Sequence, residues 1–272
     1  SIPQEIALIA GDFDAKEFYD AVQTCRTAYM AKTSGTQKSD TIECYHDRIT
    51  KSAMAHLNTT RRINIHTRLA GAFEEVQGQS AEAYTMVRHL IGSGNHQRAA
   101  EVAETAAGKA AMGSAFLRSA ELYALAIRVG SFSTEKERYL RLQWADVLVN
   151  SGKGKEAGDL YLAASESMDK EERLRCELLA GSQFLYAGYI EEGLAAMEKV
   201  MADIGETIPK TSNRALLSLL WNRGKLKVRG RKWKERKESS ISSEEKRRLD
   251  IYKVISVSMS NVDTIRGSDF QV

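Results

Sequence analysis

Apolar positions recur at the three- and four-residue spacing of helices over most of the chain, and start and stop signals divide it into short segments. Asp14, with Glu17 three residues on and Phe13 and Phe18 either side, has the arrangement of a capped helix start. The Asp14 carboxylate accepts from the first free N–H groups, Glu17 reaches back, and the two rings staple the entry. This helix is predicted to reach about Thr27. Two β-prone runs, 28–31 and 41–45, are separated by the polar stretch 34–40 and predict a hairpin. Helical spacing resumes at His46 and continues, with a break near 58–60, through Ile63, Ile65, Leu69 and Phe73. From about residue 81 onward, helix follows helix. Capping boxes are predicted at Thr134 with Glu137, Asp169 with Glu172 and Ser242 with Glu245. Pro209, after Gly205, ends the regular stretch, the apolar run 216–221 forms a further helix, and a last one is predicted from about 244 to 261.

The helical stretch repeats itself. Superposing the turns at Gly152 and Gly188, 36 residues apart, brings Ala157 over Gly193, Tyr161 over Met197 and Ala164 over Val200. Ser114 joins the same alignment 38 residues upstream of Gly152, with Ser119, Tyr123 and Ala126 in the matching columns. Seven positions before each turn stands a small residue: Ala107, Ala145 and Gly181. Small residues facing one another let two antiparallel helices approach closely, and Tyr123, Tyr161 and Met197 fill the space between neighbouring pairs. A further register at Gly94, with Ala99 and Ala106, begins only 20 residues before the one at Ser114, so the helix from about 96 to 112 belongs to one pair and the helix ending at Ile91 is a half-repeat. This small-x3-aromatic-x2-Ala register resembles the tetratricopeptide (TPR) pattern. The first helix of each unit departs from it, with Ala103, Arg141 and Glu177 where Trp or Leu is usual, and the periods exceed the usual length. The order of helices and hairpin over 1–75 resembles a winged-helix module. The expected fold is therefore mainly α: a winged-helix-like module at 1–75, TPR-like antiparallel helical hairpins stacked as a solenoid at 76–208, and at 209–272 a basic helix and loop opening a further pair. That pair lacks a closing polar helix, so the sequence reads as a fragment.

Composition agrees with an α-rich chain. Two prolines in 272 residues, Pro3 and Pro209, leave the helical array free of interruption. Cys25, Cys44 and Cys176 form neither a CxxC pair nor an even framework, which argues against a zinc ribbon or a disulfide scaffold and for a reducing compartment. Nothing in the sequence has the length of a membrane span or the form of an export signal, so a cytoplasmic location without membrane contact is expected. The net charge of +3 conceals an uneven distribution. The segment 223–237 holds Arg223, Lys225, Lys227, Arg229, Arg231, Lys232, Lys234, Arg236 and Lys237 against Glu235 alone, a local +8 that leaves −5 on the other 257 residues.

Clustered cations with an interleaved Trp233 have the composition of a polyanion-binding site. The plainer reading is a solvated helix end whose aliphatic stems lie over the 216–221 surface. DNA reading by the first module is not expected, because its 14–27 helix carries Asp14, Glu17 and Asp20 against Lys16 and Arg26. His46, Asp47 and Arg48 reverse the residue order of a kinase catalytic loop, and no Asn follows at the required distance. Residues 151–155 lack phosphate-loop spacing, and His46, His56, His66, His89 and His96 form no metal-ligating pair. No catalytic residue, metal or cofactor is expected in this chain.

Two further sets of residues carry a family resemblance. Tyr45, His46, Asp47, Arg48 and Ile49, followed by Ala55, His56, Leu57 and the stretch 61–70, resemble the segment after the ATPase module of large bacterial multidomain Ser/Thr protein kinases. So do 214–221 and 262–271. In that family a kinase domain precedes an AAA/STAND-type ATPase, a winged-helix-like module and TPR-like repeats. The resemblance implies that ATP and Mg belong to the kinase and ATPase modules, and that this chain is a regulatory arm in signal transduction. Its partner would be a protein or peptide, including the parent's own ATPase or kinase domain. On TPR geometry the partner-facing positions are Tyr139, Asp146, Asn150, Arg175, Ser182 and Tyr186. The alternative is a nucleic-acid-binding region of a STAND-type transcription regulator that uses 223–237.

Overall fold

The computed structural model describes residues 1–76, 83–166, 168–230 and 236–271. Helices predominate, fourteen among the described residues, with one three-stranded antiparallel sheet. Packing divides the chain into two units, Ser1–Ser133 and Thr134–Val272, so the division falls within the stretch that carries the sequence repeats.

The first unit contains β1 (Ile2–Pro3), α1 (Gln4–Gly11), α2 (Ala15–Thr27), β2 (Ala31–Thr33), β3 (Thr41–Cys44), α3 (Asp47–His56), α4 (Thr59–Glu75), α5 (Ala83–Gly92), α6 (His96–Met112) and α7 (Phe116–Val129). β3 is central, pairing Ile42 with Thr33 of β2 on one side and with Ile2 of β1 on the other. The first strand of the hairpin starts later than its β-prone run. Tyr29 takes a left-handed conformation, φ 54°, and the Met30 N–H donates to the Cys25 carbonyl at 2.8 Å, so 28–30 closes α2 instead of extending. The start of α2 follows the sequence signal: Asp14 accepts from the Lys16 and Glu17 N–H groups, and the Phe13 and Phe18 rings lie 6.4 Å apart. Buried Gln4 donates through Nε2 to the carbonyls of Gly35 and Gln37, hooking the hairpin loop onto the start of α1. Ile6, Ala72 and Phe73 form a core beneath it with Ile2, Ile9, Leu69 and Met86.

The second unit contains α8 (Thr134–Asn150), α9 (Gly154–Ser165), α10 (Lys170–Tyr186), α11 (Ile190–Asp203), α12 (Ser212–Arg229), a 3-10 turn (Glu238–Ser240), α13 (Ser243–Ser260) and α14 (Thr264–Asp269). α8 to α11 pack each on the next, α13 lies against α10 and α14, and α12 lies against α14. Leu174, Leu178 and Leu185 of α10 meet Met197 and Val200 of α11 and Ile251, Ile255 and Met259 of α13 in one core. The capping box at Ser242 forms in full, with the Glu245 N–H donating to Ser242 Oγ and the Ser242 N–H donating to Glu245 Oε2. α8 begins at Thr134 itself, which moves its cap position to Ser133.

One turn recurs in both units. Gly94, Gly152, Gly188 and Gly205 each have φ between 78° and 84°, and Ser114 stands in the same conformation at 59°. In every case the next N–H reaches back to the carbonyl five residues before it: Asn95 to Leu90, Ala115 to Ala110, Lys153 to Leu148, Tyr189 to Phe184 and Glu206 to Met201. This is a Schellman closure, which caps the outgoing helix and reverses the chain. Beyond two of the turns the small residues meet as their alignment predicts. Ser119 Oγ donates to the Ala107 carbonyl at 2.8 Å, and a Cβ on Gly193 would stand 3.0 Å from the Gly181 carbonyl oxygen.

Candidate functional site

Two surfaces of the second unit present chemistry. The first is the α8 and α10 face. Tyr139 is half exposed, with the Lys136 ammonium 5.1 Å from its ring centre. Asp146, Asn150 and Arg175 are exposed. Asp146 accepts at 2.5 Å from the hydroxyl of Tyr161, a buried side chain on α9. Burial first and that hydrogen bond second push the Tyr161 hydroxyl far above its ordinary range, so it keeps its proton and acts as a permanent donor. Cys176 is buried beside Arg175 and its thiol is pushed up to about 11 by burial, with the guanidinium opposing the shift, which leaves it a packing residue and not a thiolate. Ser182 is buried and donates to the Leu178 carbonyl. Ser258 Oγ of α13 lies 3.1 Å from Ser182 Oγ and 3.2 Å from the Tyr186 hydroxyl, so these two positions are in contact with α13. Tyr186 still exposes half its surface.

The second surface belongs to α12. Its inward side buries Ala215 and Leu219. Arg223, Lys225, Lys227 and Arg229 occupy its last two turns, exposed and with no ion pair among the described residues. Cations there also suit the negative end of the helix dipole. Lys225 leans over Trp221, 5.4 Å from the ring centre. Arg236 is engaged elsewhere, holding Glu245 at 3.2 Å and donating to the Ser240 carbonyl. That pairing, with the capping hydrogen bonds, draws the Glu245 carboxyl below its usual range. Lys237 is exposed, while Arg231, Lys232, Trp233 and Lys234 lie outside the described residues.

Between the cations of α12 runs an apolar strip, of which the sequence reading named only the 216–221 part, as a surface covered by the cationic stems. Leu217 and Trp221 are each 68% exposed, Leu220 57% and Val228 90%. With Gly224 they fall at i, i+3, i+4, i+7 and i+11, so the signal was present in the spacing. Its outward direction and its extension to Val228 were not read because the same helix also carries an ordinary inward stripe.

The first unit holds one unforeseen pair. His66 of α4 and His89 of α5 meet Nδ1 to Nδ1 at 2.9 Å, with Phe73 stacked on the His89 ring. Among the described residues, no three His, Cys, Asp or Glu side chains are grouped as metal ligands, and no helix is long and apolar enough to cross a membrane. The chain matches no family model, no curated protein and no solved structure, so any functional reading rests on its own residues.

Proposed function

We propose that this chain is a non-catalytic protein-interaction and regulatory region, built as a winged-helix-like module followed by TPR-like helical hairpins stacked as a solenoid. The observation that carries this is the recurrence of one device. A left-handed turn at Ser114 or Gly188 is followed by a small-residue crossing, Ala107 with Ser119 or Gly181 with Gly193. Repeated helical pairs of this kind create extended surfaces suited to a peptide or a folded partner. Tyr139, Asn150 and Arg175, exposed on the first helices of their pairs, are the contact residues.

By the resemblance of its His46–Asp47–Arg48 and 262–271 stretches, the chain serves a cytoplasmic bacterial Ser/Thr protein kinase with an AAA/STAND-type ATPase. ATP and Mg are used in those other modules, which are also its first candidate partners. The test starts from the reading frame before Ser1. A kinase domain followed by a Walker A sequence supports this parentage, and their absence overturns it. Titrating those modules with the chain, and with Tyr139, Arg175 and Tyr186 together replaced by Ala, tests the surface. The triple variant is expected to bind at least about tenfold more weakly while staying folded, its melting temperature lowered only by the loss of the Tyr186 contact with Ser258. Equal binding refutes the assigned face.

A second reading, nucleic-acid binding in a STAND-type regulator, draws support from the four exposed cations of α12, which make no ion pair among the described residues. It requires duplex affinity that falls with salt at a slope of about −0.9 per neutralised phosphate.

A further inference from the structure

We propose that the outward strip of α12 is a docking groove for an acidic amphipathic helix of a protein partner. Leu217, Leu220, Trp221, Gly224 and Val228 lie on one face over three turns, opposite the Ala215 and Leu219 side that packs inward. Apolar surface this concentrated, on a helix whose other side is already buried, marks an interaction site. At about 100° per residue, Arg223 and Lys227 border the strip on one side and Lys225 and Arg229 on the other.

The shape of the strip selects the partner. A Cβ on Gly224 would meet nothing within 4 Å, and Leu220, Trp221, Lys225, Val228 and Arg229 surround this glycine as the walls of a groove. A notch admits one apolar side chain of a partner helix, whereas a bilayer is flat and gains nothing from it. A nucleic-acid backbone would use the cations and leave the apolar strip between them in water. A helix with leucines at i, i+3, i+4 and i+7 and carboxylates along both flanks satisfies the notch, the strip and both cationic borders together. This surface is on a different element from Tyr139 and Arg175, so it stands or falls separately from the α8 and α10 face.

The experiment uses the whole chain and a fluorescein-labelled synthetic 18-residue peptide, with Leu at the matching spacing and Glu on both flanks, followed by anisotropy at ~50 mM salt. The controls are a scrambled peptide of the same composition, a 20-base-pair duplex and vesicles of anionic phosphatidylglycerol. Saturable binding of the designed peptide is expected, weakened about 30-fold by Trp221→Ser and at least about tenfold by Lys225→Glu with Arg229→Glu. A peptide with Lys flanks is expected to prefer that charge-reversed variant, which separates complementarity from damage to the fold. The substituted side chains are exposed, and unchanged melting temperatures confirm that each variant is folded. Equal binding of the scrambled peptide, indifference to Trp221→Ser, or retention of the chain by duplex or vesicles in place of the designed peptide overturns the proposal. The triple variant at Tyr139, Arg175 and Tyr186 is expected to bind this peptide normally.

Discussion

At the residue scale, the clearest internal consequence concerns His66 and His89. Two Nδ1 atoms at 2.9 Å share a hydrogen bond only if one donates and the other accepts, so the pair is stable with both rings neutral. A proton on the accepting nitrogen would set two donors against each other. Burial chiefly, then His66 and Arg88, lowers the His89 imidazole to about 4; burial, Arg88 and Arg62 also pull His66 down. An unfolded His89 titrates near 6.5, so between about pH 6.5 and 4 the unfolded chain binds more protons than the folded one. The stability contributed by the neutral ring is thus complete above that window and lost as pH falls through it, on the order of 3 kcal/mol in all. Urea unfolding followed by far-UV ellipticity should show the native chain losing about 2 kcal/mol more between pH 7.5 and 5.0 than His89→Leu loses. Equal losses would mean that His89 is not the titrating group. The pair lies 23 positions apart on two helices, and neither histidine stands out locally. Glu177 is a case the sequence flagged without explaining: the TPR pattern that this stretch resembles has Trp or Leu at its position. It is buried there, accepting at 2.6 Å from the Lys199 ammonium of α11, so an ion pair joins the two helices.

At the scale of elements, what was legible in the sequence was what is local. The turn alignment of Ser114, Gly152 and Gly188 falls on the left-handed residue each time, because a Schellman closure needs that conformation at one fixed place. Ser114 alone of the three has a Cβ there, which gives an element-level prediction. Ser114→Gly should stabilise the chain by about 0.5–1 kcal/mol, whereas Gly188→Ala should cost about 1 kcal/mol, both read from thermal melts. A stabilised Gly188→Ala would remove the turn from its assigned role. The small-residue columns were legible for the same reason, since Ala107 and Gly181 precede their turns by a fixed count. The misses involve partners distant in sequence. β1 is two residues long and exists through Ile42, and the late start of β2 follows from the way α2 closes at Tyr29. The contact of α13 with Ser182 and Tyr186 runs through Ser258, more than 70 residues away, and no periodicity within α10 announces it.

For the whole molecule, the net charge of +3 is the remainder of an acidic body and a basic segment, and four of that segment's cations stand exposed on one helix, without an ion pair among the described residues. A polyanionic surface senses that local density, because counterion release depends on the charges it contacts and distant charges are screened beyond about 10 Å. Two quadruple variants with the same total therefore separate patch from sum. Replacing Arg223, Lys225, Lys227 and Arg229 by Gln lowers the net charge from +3 to −1, and so does replacing the scattered exposed cations Lys16, Lys51, Arg61 and Lys109. If the basic segment governs the chain's electrostatic behaviour, the first variant leaves a sulfonate column at markedly lower salt than the native chain, and the second elutes close to it. Coincident elution of the two would show that the total charge sets retention and that α12 is not a distinct electrostatic surface. Since the replaced side chains are exposed and make no ion pair among the described residues, the first variant should lose no more than about 1–2 kcal/mol, through the helix-end charges and the Lys225–Trp221 contact. Those cations are thus available to an external carboxylate at small cost to the fold.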